Sequence, residues 1–236
     1  MNQLLRFCLI IGLIVFISGK QTVLSQESAQ SNKTRFGFRS AGISVGWFKP
    51  AMKYWNSTYF TDNNWENKFK GTFSYTIFFE LNLVSNLRLK ASGSYWSEKV
   101  NSGVIPLSEV MGSEQLTTSL TFFSVDVIYR MSFLSFEKFS PYIGIGGSFV
   151  LVQNKLIRSP EGSTEEQLIN KGQDVTGTAI VGIERKFGKH FAAAIDFRYV
   201  FGSYSQEMTD VNNIVTSHPV SLSGPQIGIN LYYVLK

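Results

Sequence analysis

Eight charged residues occupy polar positions in segments where apolar and polar residues alternate. Four of them are acidic and four are basic, so their charges cancel. Charged side chains that leave water need partners of opposite charge and further hydrogen bonds. A balanced set can therefore form either a structural network of ion pairs or a pathway for ions or protons. The set is Glu80, Arg88, Lys90, Asp126, Arg130, Glu184, Asp196 and Arg198.

Serine–histidine chemistry and metal binding are the other candidates, and both lack partners in the sequence. Ser217 and His218 are adjacent, but a serine nucleophile needs a base that a third group orients, and no such group can be assigned. The second histidine, His190, lies in a different segment, and Cys8 is the one cysteine of the chain. Two separated histidines do not make a typical zinc site. We predict no catalysis, no cofactor and no metal; a lipid-modifying enzyme is an alternative.

The segment 49–70 is rich in polar and aromatic residues and interrupts the alternation. Its aromatic side chains can offer a contact surface to a protein or a glycan, or they can fold over the end of the neighbouring strands. An aromatic belt at a membrane interface explains Trp47 and Trp96 well, since both stand near strand ends. It explains the tryptophans inside the segment less well. The candidate contact group is Tyr54, Trp55, Tyr59, Phe60 and Trp65.

The elements that position these residues are segments with a two-residue period. In the segment 72–83, every odd-numbered residue is apolar and most even-numbered residues are polar. This period places the two kinds of residue on opposite faces of a β-strand. Seven such segments follow residue 70. An eighth, 35–48, changes phase near Ser40, as a β-bulge would produce.

The links between the eight segments are long and short by turns. Tight turns follow residues 83 and 187, and a moderate turn spans 132–140. The long links are 49–70, 99–114, 154–172 and 205–218. In barrels that cross an outer membrane, short turns lie in the periplasm and long loops lie outside the cell. We therefore predict an all-β fold: an eight-stranded antiparallel up-and-down transmembrane β-barrel with periplasmic termini.

A soluble barrel with a ligand inside would have the same alternation. The polar faces decide between the two, because they carry mainly small residues with one or two charges each, unlike a solvated surface. Charged residues make up 17% of the chain, below the ~25% usual in soluble domains. We predict that the apolar faces point outward to lipid. An eight-stranded barrel has room only for side chains, so the eight charges should form a closed, salt-bridged lumen; a narrow pore for small solutes is the alternative.

The N-terminal residues are typical of a cleaved secretory signal. Arg6 precedes an apolar stretch of about 12 residues, too short for a spanning helix of ~20, and small residues follow it. We predict a signal peptide at 1–25, a periplasmic lead-in at 26–34 and a barrel domain at 35–236. Cleavage removes Arg6 and Lys20 but no acidic residue, so the net charge falls from +5 to +3. A charge this small does not indicate nucleic-acid binding.

Two motifs carry a resemblance to a known family. Pro141–Gly147 has the sequence PYIGIGG, and Leu222–Gly228 has the sequence LSGPQIG. With them, residues 35–236 resemble the small outer-membrane β-barrels, namely the OmpA/OmpX-type transmembrane domains and their porin-like relatives. The resemblance implies insertion by the barrel assembly machinery. Family barrels usually end on an aromatic residue, whereas here Tyr233 is followed by Val-Leu-Lys.

The predicted role is structural or in surface interaction, through the long external loops, in the outer membrane of a Gram-negative bacterium. The expected partners are outer-membrane lipid and lipopolysaccharide, the barrel assembly machinery, and an extracellular protein or glycan. We expect a monomer that does not bind nucleic acid.

Overall fold

The structure is a computed structural model that describes residues 37–107, 110–134, 136, 139–160, 166–209 and 215–235. The predicted signal peptide and periplasmic lead-in lie outside these residues. The strands are β1 Gly37–Phe48, β2 Thr72–Val84, β3 Leu87–Leu107, β4 Val110–Arg130, β5 Phe139–Pro160, β6 Glu166–Phe187, β7 Phe191–Phe201, β8 Ser203–Thr209, β9 Val215–Ser221 and β10 Gly224–Val234.

Within the described residues, eight antiparallel strands close into a barrel. Each of β1 to β6 pairs with the next strand in the chain, β7 pairs with β10, and β10 pairs with β1 to complete the ring. β8 and β9 form a separate hairpin between β7 and β10. The predicted eight-stranded up-and-down barrel is therefore confirmed. The predicted bulge is also present, as a register shift between Phe38 and Ser40 where β1 pairs with β2.

The outer surface of the barrel is apolar. Side chains alternate in direction beyond the bulge in β1 and along β2, β7 and β10. Odd-numbered side chains point outward, and even-numbered side chains point inward. Ile77, Ile145 and Ile229 expose 65%, 70% and 57% of their surface, respectively. Outward aromatic residues lie towards both ends of the barrel, as in the interfacial girdles of outer-membrane barrels. These aromatic residues include Trp47, Tyr75, Tyr95 and Tyr199 at one end and Phe38, Tyr129, Phe191 and Tyr233 at the other.

The two ends of the barrel differ in the length of their connections. At the short-turn end, neighbouring strands are joined at 85–86, 131–138 and 188–190. At the opposite, long-strand end, β3 to β6 continue for 21 or 22 residues each, about twice the 9–11 residues that cross a bilayer. Gly37 and Leu235, the first and last described residues, lie at the short-turn end, where the Leu235 amide donates to the Arg39 carbonyl.

The predictions of long loops at 99–114 and 154–172 were wrong, because most of these residues extend the strands. Lys99 is paired with Thr117, and Lys155 is paired with Ile169. A strand that leaves the lipid can be polar on its outward face, so the alternation disappears from the sequence while the backbone ladder continues. The predicted loop 205–218 likewise contains most of the β8–β9 hairpin.

The segment 49–71 joins β1 to β2 and contains the short helical turns Trp55–Tyr59 and Phe60–Asp62. A third helical turn, Ser132–Leu134, follows β4 at the short-turn end. Among the residues that the structure describes, no helix has the length and apolar content needed to cross a bilayer.

Candidate functional site: the lumen and its long-strand end

Four charged side chains form a buried ion-pair cluster inside the barrel, at the level of the β1 bulge. Arg39 donates to Glu80 at 2.5 Å and to Glu184 at 2.8 Å. Arg88 donates to the second oxygen of Glu184 at 2.6 Å and lies 3.6 Å from Glu80. Two arginines and two carboxylates thus neutralise one another. We call this group the first charge cluster; it joins β1, β2, β3 and β6 across the lumen.

Every member of the first charge cluster is nearly inaccessible to solvent, with 1–6% of its surface exposed. Ser40 adds a hydrogen bond to Glu80 at 3.0 Å. Charge-assisted hydrogen bonds of this length are about twice as strong as neutral ones, yet their net contribution only offsets the cost of burying the ions. The cluster therefore fixes the relative positions of the strands and fills the lumen at this level.

A second charge cluster is built around Arg198. Its guanidinium lies 3.1 Å from Asp126 and 3.6 Å from Asp196. The Thr178 hydroxyl donates to Asp126 at 3.2 Å, and the Tyr142 hydroxyl donates to Asp196 at 3.4 Å. Both carboxylates are buried. This second charge cluster links β4, β5, β6 and β7.

Lys90 and Arg130, the remaining predicted lumen charges, are not members of the ion pairs among the described residues. Lys90 is buried; its ammonium donates to Asn230 at 3.3 Å and lies 3.9 Å from the centroid of the Phe78 ring. Arg130 donates to the Ser140 hydroxyl near the short-turn end and forms no ion pair with the residues that the structure describes. Arg39 takes its place in the charge balance.

The long-strand end of the lumen is filled by aromatic residues of the segment 49–71, which we call the aromatic plug. The rings of Phe60 and Trp65 stack at 4.4 Å, and Trp55 contacts both Tyr59 and Phe60 edge-on or tilted. These four side chains are buried, at 0–8% exposure. They pack against inward side chains of β1, β3, β4, β5, β7 and the hairpin. The additional core residues include Phe48, Phe69, Trp96, Leu116, Leu120, Val150, Val200, Val220 and Leu222.

The predicted aromatic contact group therefore faces into the barrel. Trp55, Tyr59, Phe60 and Trp65 are internal and do not form an outward surface. Tyr54 is partly buried and stacks on His218 at 4.5 Å. The sequence allowed the segment either to form a contact surface or to fold over the ends of the neighbouring strands. The structure shows the second arrangement.

Buried polar contacts anchor the aromatic plug to the extended strands. Glu114 of β4 accepts hydrogen bonds from the Trp65 indole at 3.2 Å and the Tyr59 hydroxyl at 3.4 Å, and it pairs with Arg158 of β5 at 2.6 Å. On the other side, the Trp55 indole donates to the Tyr204 hydroxyl of the hairpin at 3.0 Å. Strands β4, β5 and β8 thus each hold the segment in place.

The hydroxyl of Tyr59 is kept in its neutral form by these surroundings. Burial, together with the negative charge of Glu114, raises the pKa of Tyr59 to about 12. An ionised Tyr59 would face the Glu114 carboxylate without enough water to solvate either charge.

Little space remains between the second charge cluster and the aromatic plug. The cavity there has a volume of about 20 Å³ and is bordered by Arg198 on one side and by Phe48 and Trp96 on the other. Such a volume holds about one water molecule.

The comparisons with known proteins agree with this architecture. No protein-family model and no curated protein sequence matches the chain. The outer membrane protein OprG from Pseudomonas aeruginosa matches with a TM-score of 0.51 and 8% identity over 84% of this chain and 96% of OprG. The chain has the fold of a small outer-membrane β-barrel. Neisserial surface protein A also matches, with a TM-score of 0.44 and 13% identity over 85% of this chain and 99% of that one.

The histidines of this barrel lie at opposite ends. His190 stacks on Tyr233 at 5.5 Å at the short-turn end, and His218 lies in the hairpin at the other end. Ser217 and His218 are consecutive in β9, so their side chains point to opposite faces. This arrangement does not bring a nucleophile and a base together. Within the described part of the chain, no three His, Cys, Asp or Glu side chains group as metal ligands would.

The sequence did not single out three polar residues that hold the site together, namely Arg39, Glu114 and Tyr204. Arg39 lies at the phase change, between Phe38 and Ser40, so the bulge was the signal that could have found it. Glu114 had no such signal, because it lies in the segment 99–114 that was expected to be a loop. Tyr204 had none either, because it lies just before the expected loop 205–218.

Proposed function

We propose that this protein is an outer-membrane barrel with a closed, salt-bridged lumen that neither conducts solutes nor catalyses a reaction. Its apolar outer surface and its girdles of aromatic residues suit a bilayer. Its role is structural or in surface interaction, carried by the β-structured extension at the long-strand end.

The observation that carries this proposal is the presence of two buried layers of side chains inside the barrel, one charged and one aromatic. The first charge cluster joins opposite walls through Arg39 and Glu184, and the aromatic plug fills the wider end with buried rings. The cavity between the plug and Arg198 has a volume of only about 20 Å³. A pore would require both layers to open, and each is held by several buried contacts.

The orientation follows from the lengths of the connections. Short turns belong in the periplasm and long connections belong outside the cell. The short-turn end, with the termini of the described residues, is therefore the periplasmic end, and the extended strands and the plug are extracellular. Outer-membrane lipid, lipopolysaccharide and the barrel assembly machinery remain the proposed partners of a monomeric barrel.

An extracellular protein or glycan partner would meet a surface different from the one that the sequence suggested. The plug side chains are internal, so they do not supply that contact. The described turn around Asp62–Asn64 is exposed, and the outward residues of the extended strands are exposed or partly exposed.

Conductance in planar bilayers tests the closed lumen. We expect heat-modifiable, folded protein to insert and to give no stable unitary current, while a porin in the same bilayer conducts. A reproducible channel of constant conductance would overturn the proposal in favour of a pore. Cell fractionation tests the location, and a soluble product without heat-modifiable mobility would refute the membrane assignment.

The lipid composition of the host tests the absence of catalysis. We expect His218→Ala to leave the structure of lipid A unchanged, because His218 packs on Tyr54 rather than against a serine. A change in the acylation or head group of lipid A that depends on His218 would instead establish a lipid-modifying enzyme.

A further inference from the structure

A groove of about 540 Å³ lies on the outward face of β3 to β6, where the extended strands begin. Its volume is within the range of small-molecule sites. Outward side chains form most of its lining, and the buried Val152 of β5 borders it from beneath. The lining residues that matter here are Tyr95, Thr117, Ser119, Leu151, Lys155 and Lys171.

The chemistry of the groove changes along the strands. Tyr95 and Leu151 lie in one row of paired residues, at the edge of the apolar outer surface. The next row towards the long-strand end contains Ser119 and Lys171, and the row after it contains Thr117 and Lys155. Two residues of a strand span about 6.7 Å, so the apolar edge and the Lys155 row are about 13 Å apart. The groove is thus apolar at one end and basic at the other.

Positive charge is concentrated at the basic end. Lys99 lies in the same row as Thr117 and Lys155, two strands away from Lys155. The outward positions of these two rows, which are Ser97, Ser119, Gln153 and Lys171 in one and Lys99, Thr117, Lys155 and Ile169 in the other, include no acidic residue. Hydroxyl and amide groups next to the lysines provide further hydrogen bonds to anionic oxygens.

We propose that this groove binds a phosphorylated lipid of the outer leaflet. Its acyl chain packs along Tyr95 and Leu151, and its phosphate accepts hydrogen bonds from Lys155 and Lys171. This inference rests on the extracellular orientation proposed above, which puts the apolar-to-basic transition at the level of the outer-leaflet head groups. The complementary charge selects an anionic head group over a neutral one.

Native mass spectrometry of the full-length barrel in a non-ionic detergent provides the test, with bisphosphorylated lipid A and its dephosphorylated form as probes. We expect the wild-type protein to bind the bisphosphorylated form at least fivefold more tightly. Removing each lysine should weaken that binding about fivefold, so Lys155→Ala combined with Lys171→Ala should reduce it about 25-fold. The matched control, Lys53→Ala with Lys68→Ala, removes two exposed lysines of the segment 49–71 and should retain wild-type affinity.

A second variant tests the shape of the groove independently of its charge. Ser119→Trp adds bulk at the centre of the groove without changing a lysine, and we expect it to reduce lipid binding while the barrel keeps its heat-modifiable mobility. Equal affinity of the wild-type protein for both lipids would overturn the inference, as would unchanged binding by the double lysine variant. Displacement of the lipid by millimolar inorganic phosphate would also overturn it, because the site would then recognise phosphate alone.

The same protein samples distinguish this inference from the proposed function. A barrel that fractionates with the outer membrane but binds both lipids equally refutes the groove and leaves the barrel assignment intact. A protein that does not reach the outer membrane refutes the assignment, whatever its affinity for lipid in detergent.

Discussion

The Arg39 guanidinium donates a hydrogen bond to the Glu184 carboxylate at 2.8 Å and so connects β1 to β6 across the lumen. The two residues are 145 positions apart in the chain. Their strands do not pair, so this contact depends on the arrangement of the whole ring of strands. It therefore serves as a measure of correct closure.

Replacing Arg39 should destabilise the barrel strongly. Arg39→Gln leaves Glu80 and Glu184 to share Arg88, and loss of one partner from a buried ion pair costs about 3–5 kcal/mol. The matched control is Arg130→Gln, because Arg130 forms a hydrogen bond with Ser140 and should cost about 1 kcal/mol. Urea unfolding in detergent micelles measures both values. Equal losses would show that the ion pairs of the first charge cluster have no special weight.

Position 146 requires glycine, because the β5 backbone there lies close to Asp126 of the second charge cluster. A Cβ atom on Gly146 would lie 2.1 Å from an Asp126 carboxylate oxygen and 2.7 Å from the Val125 carbonyl oxygen. Gly146→Ala should therefore displace Asp126 and cost about 1–3 kcal/mol. At Gly147, the neighbouring control, the nearest atom to a Cβ is 3.8 Å away, and alanine should change stability by less than about 0.5 kcal/mol. Band-shift gels after refolding compare the two variants.

The aromatic plug should loosen at high pH. The unfolded pKa of tyrosine is about 10, and the pKa of Tyr59 in the folded protein is about 12. Below pH 10, Tyr59 is neutral in both states and adds no pH dependence. Between pH 10 and about 12 the unfolded state loses the proton first, so stability falls as the pH rises.

Fluorescence of the buried tryptophans in the plug measures this loss. We expect a red shift above pH 10 that is smaller in Tyr59→Phe, which has no ionisable hydroxyl. Because other tyrosines also titrate in this range, the difference between the two proteins is the informative quantity. A difference of zero would show that Tyr59 does not control the opening of the plug.

The hydroxyl of Tyr204 should hold the segment 49–71 to the hairpin. It accepts a hydrogen bond from the Trp55 indole at 3.0 Å and another from the Asn154 amide at 3.0 Å. Tyr204→Phe leaves the buried indole N–H of Trp55 without its acceptor, at a cost of about 1–3 kcal/mol. Hydrogen exchange of the Trp55 indole should become about tenfold faster. Tyr199→Phe, on the outward face, should leave that exchange rate unchanged.

The alternation of residue types predicts the strands of the barrel wall, because a bilayer requires an apolar outer face. A strand in a bilayer must be apolar outside, and a narrow lumen must be small or charge-paired inside, so the period of two remains visible in 72–83. Beyond the bilayer, water accepts polar residues on the outward face. Extensions such as the pairing of Lys155 with Ile169 therefore leave no comparable pattern.

The charge balance of the lumen was predictable from the sequence, but its individual contacts were not. Balance between acidic and basic residues indicates a closed network without telling which arginine takes part. A single-residue bulge between Phe38 and Ser40 accompanies the inward position of Arg39, and the position of Arg130 near the short-turn end removes it from the network. Register shifts of this kind depend on the pairing of two strands and not on either strand alone.

The sequence by itself determined a barrel of eight strands and predicted a charge-balanced interior, because strand period, link length and charge balance are local or additive properties. The tertiary structure decided which charges meet, such as Arg39 with Glu184, and which way the aromatic segment faces. Rings such as Phe60 and Trp65 suit either a contact surface or a core. Only the closed ring of extended strands provides the apolar space that draws them inward, and that space exists only once the strands have assembled.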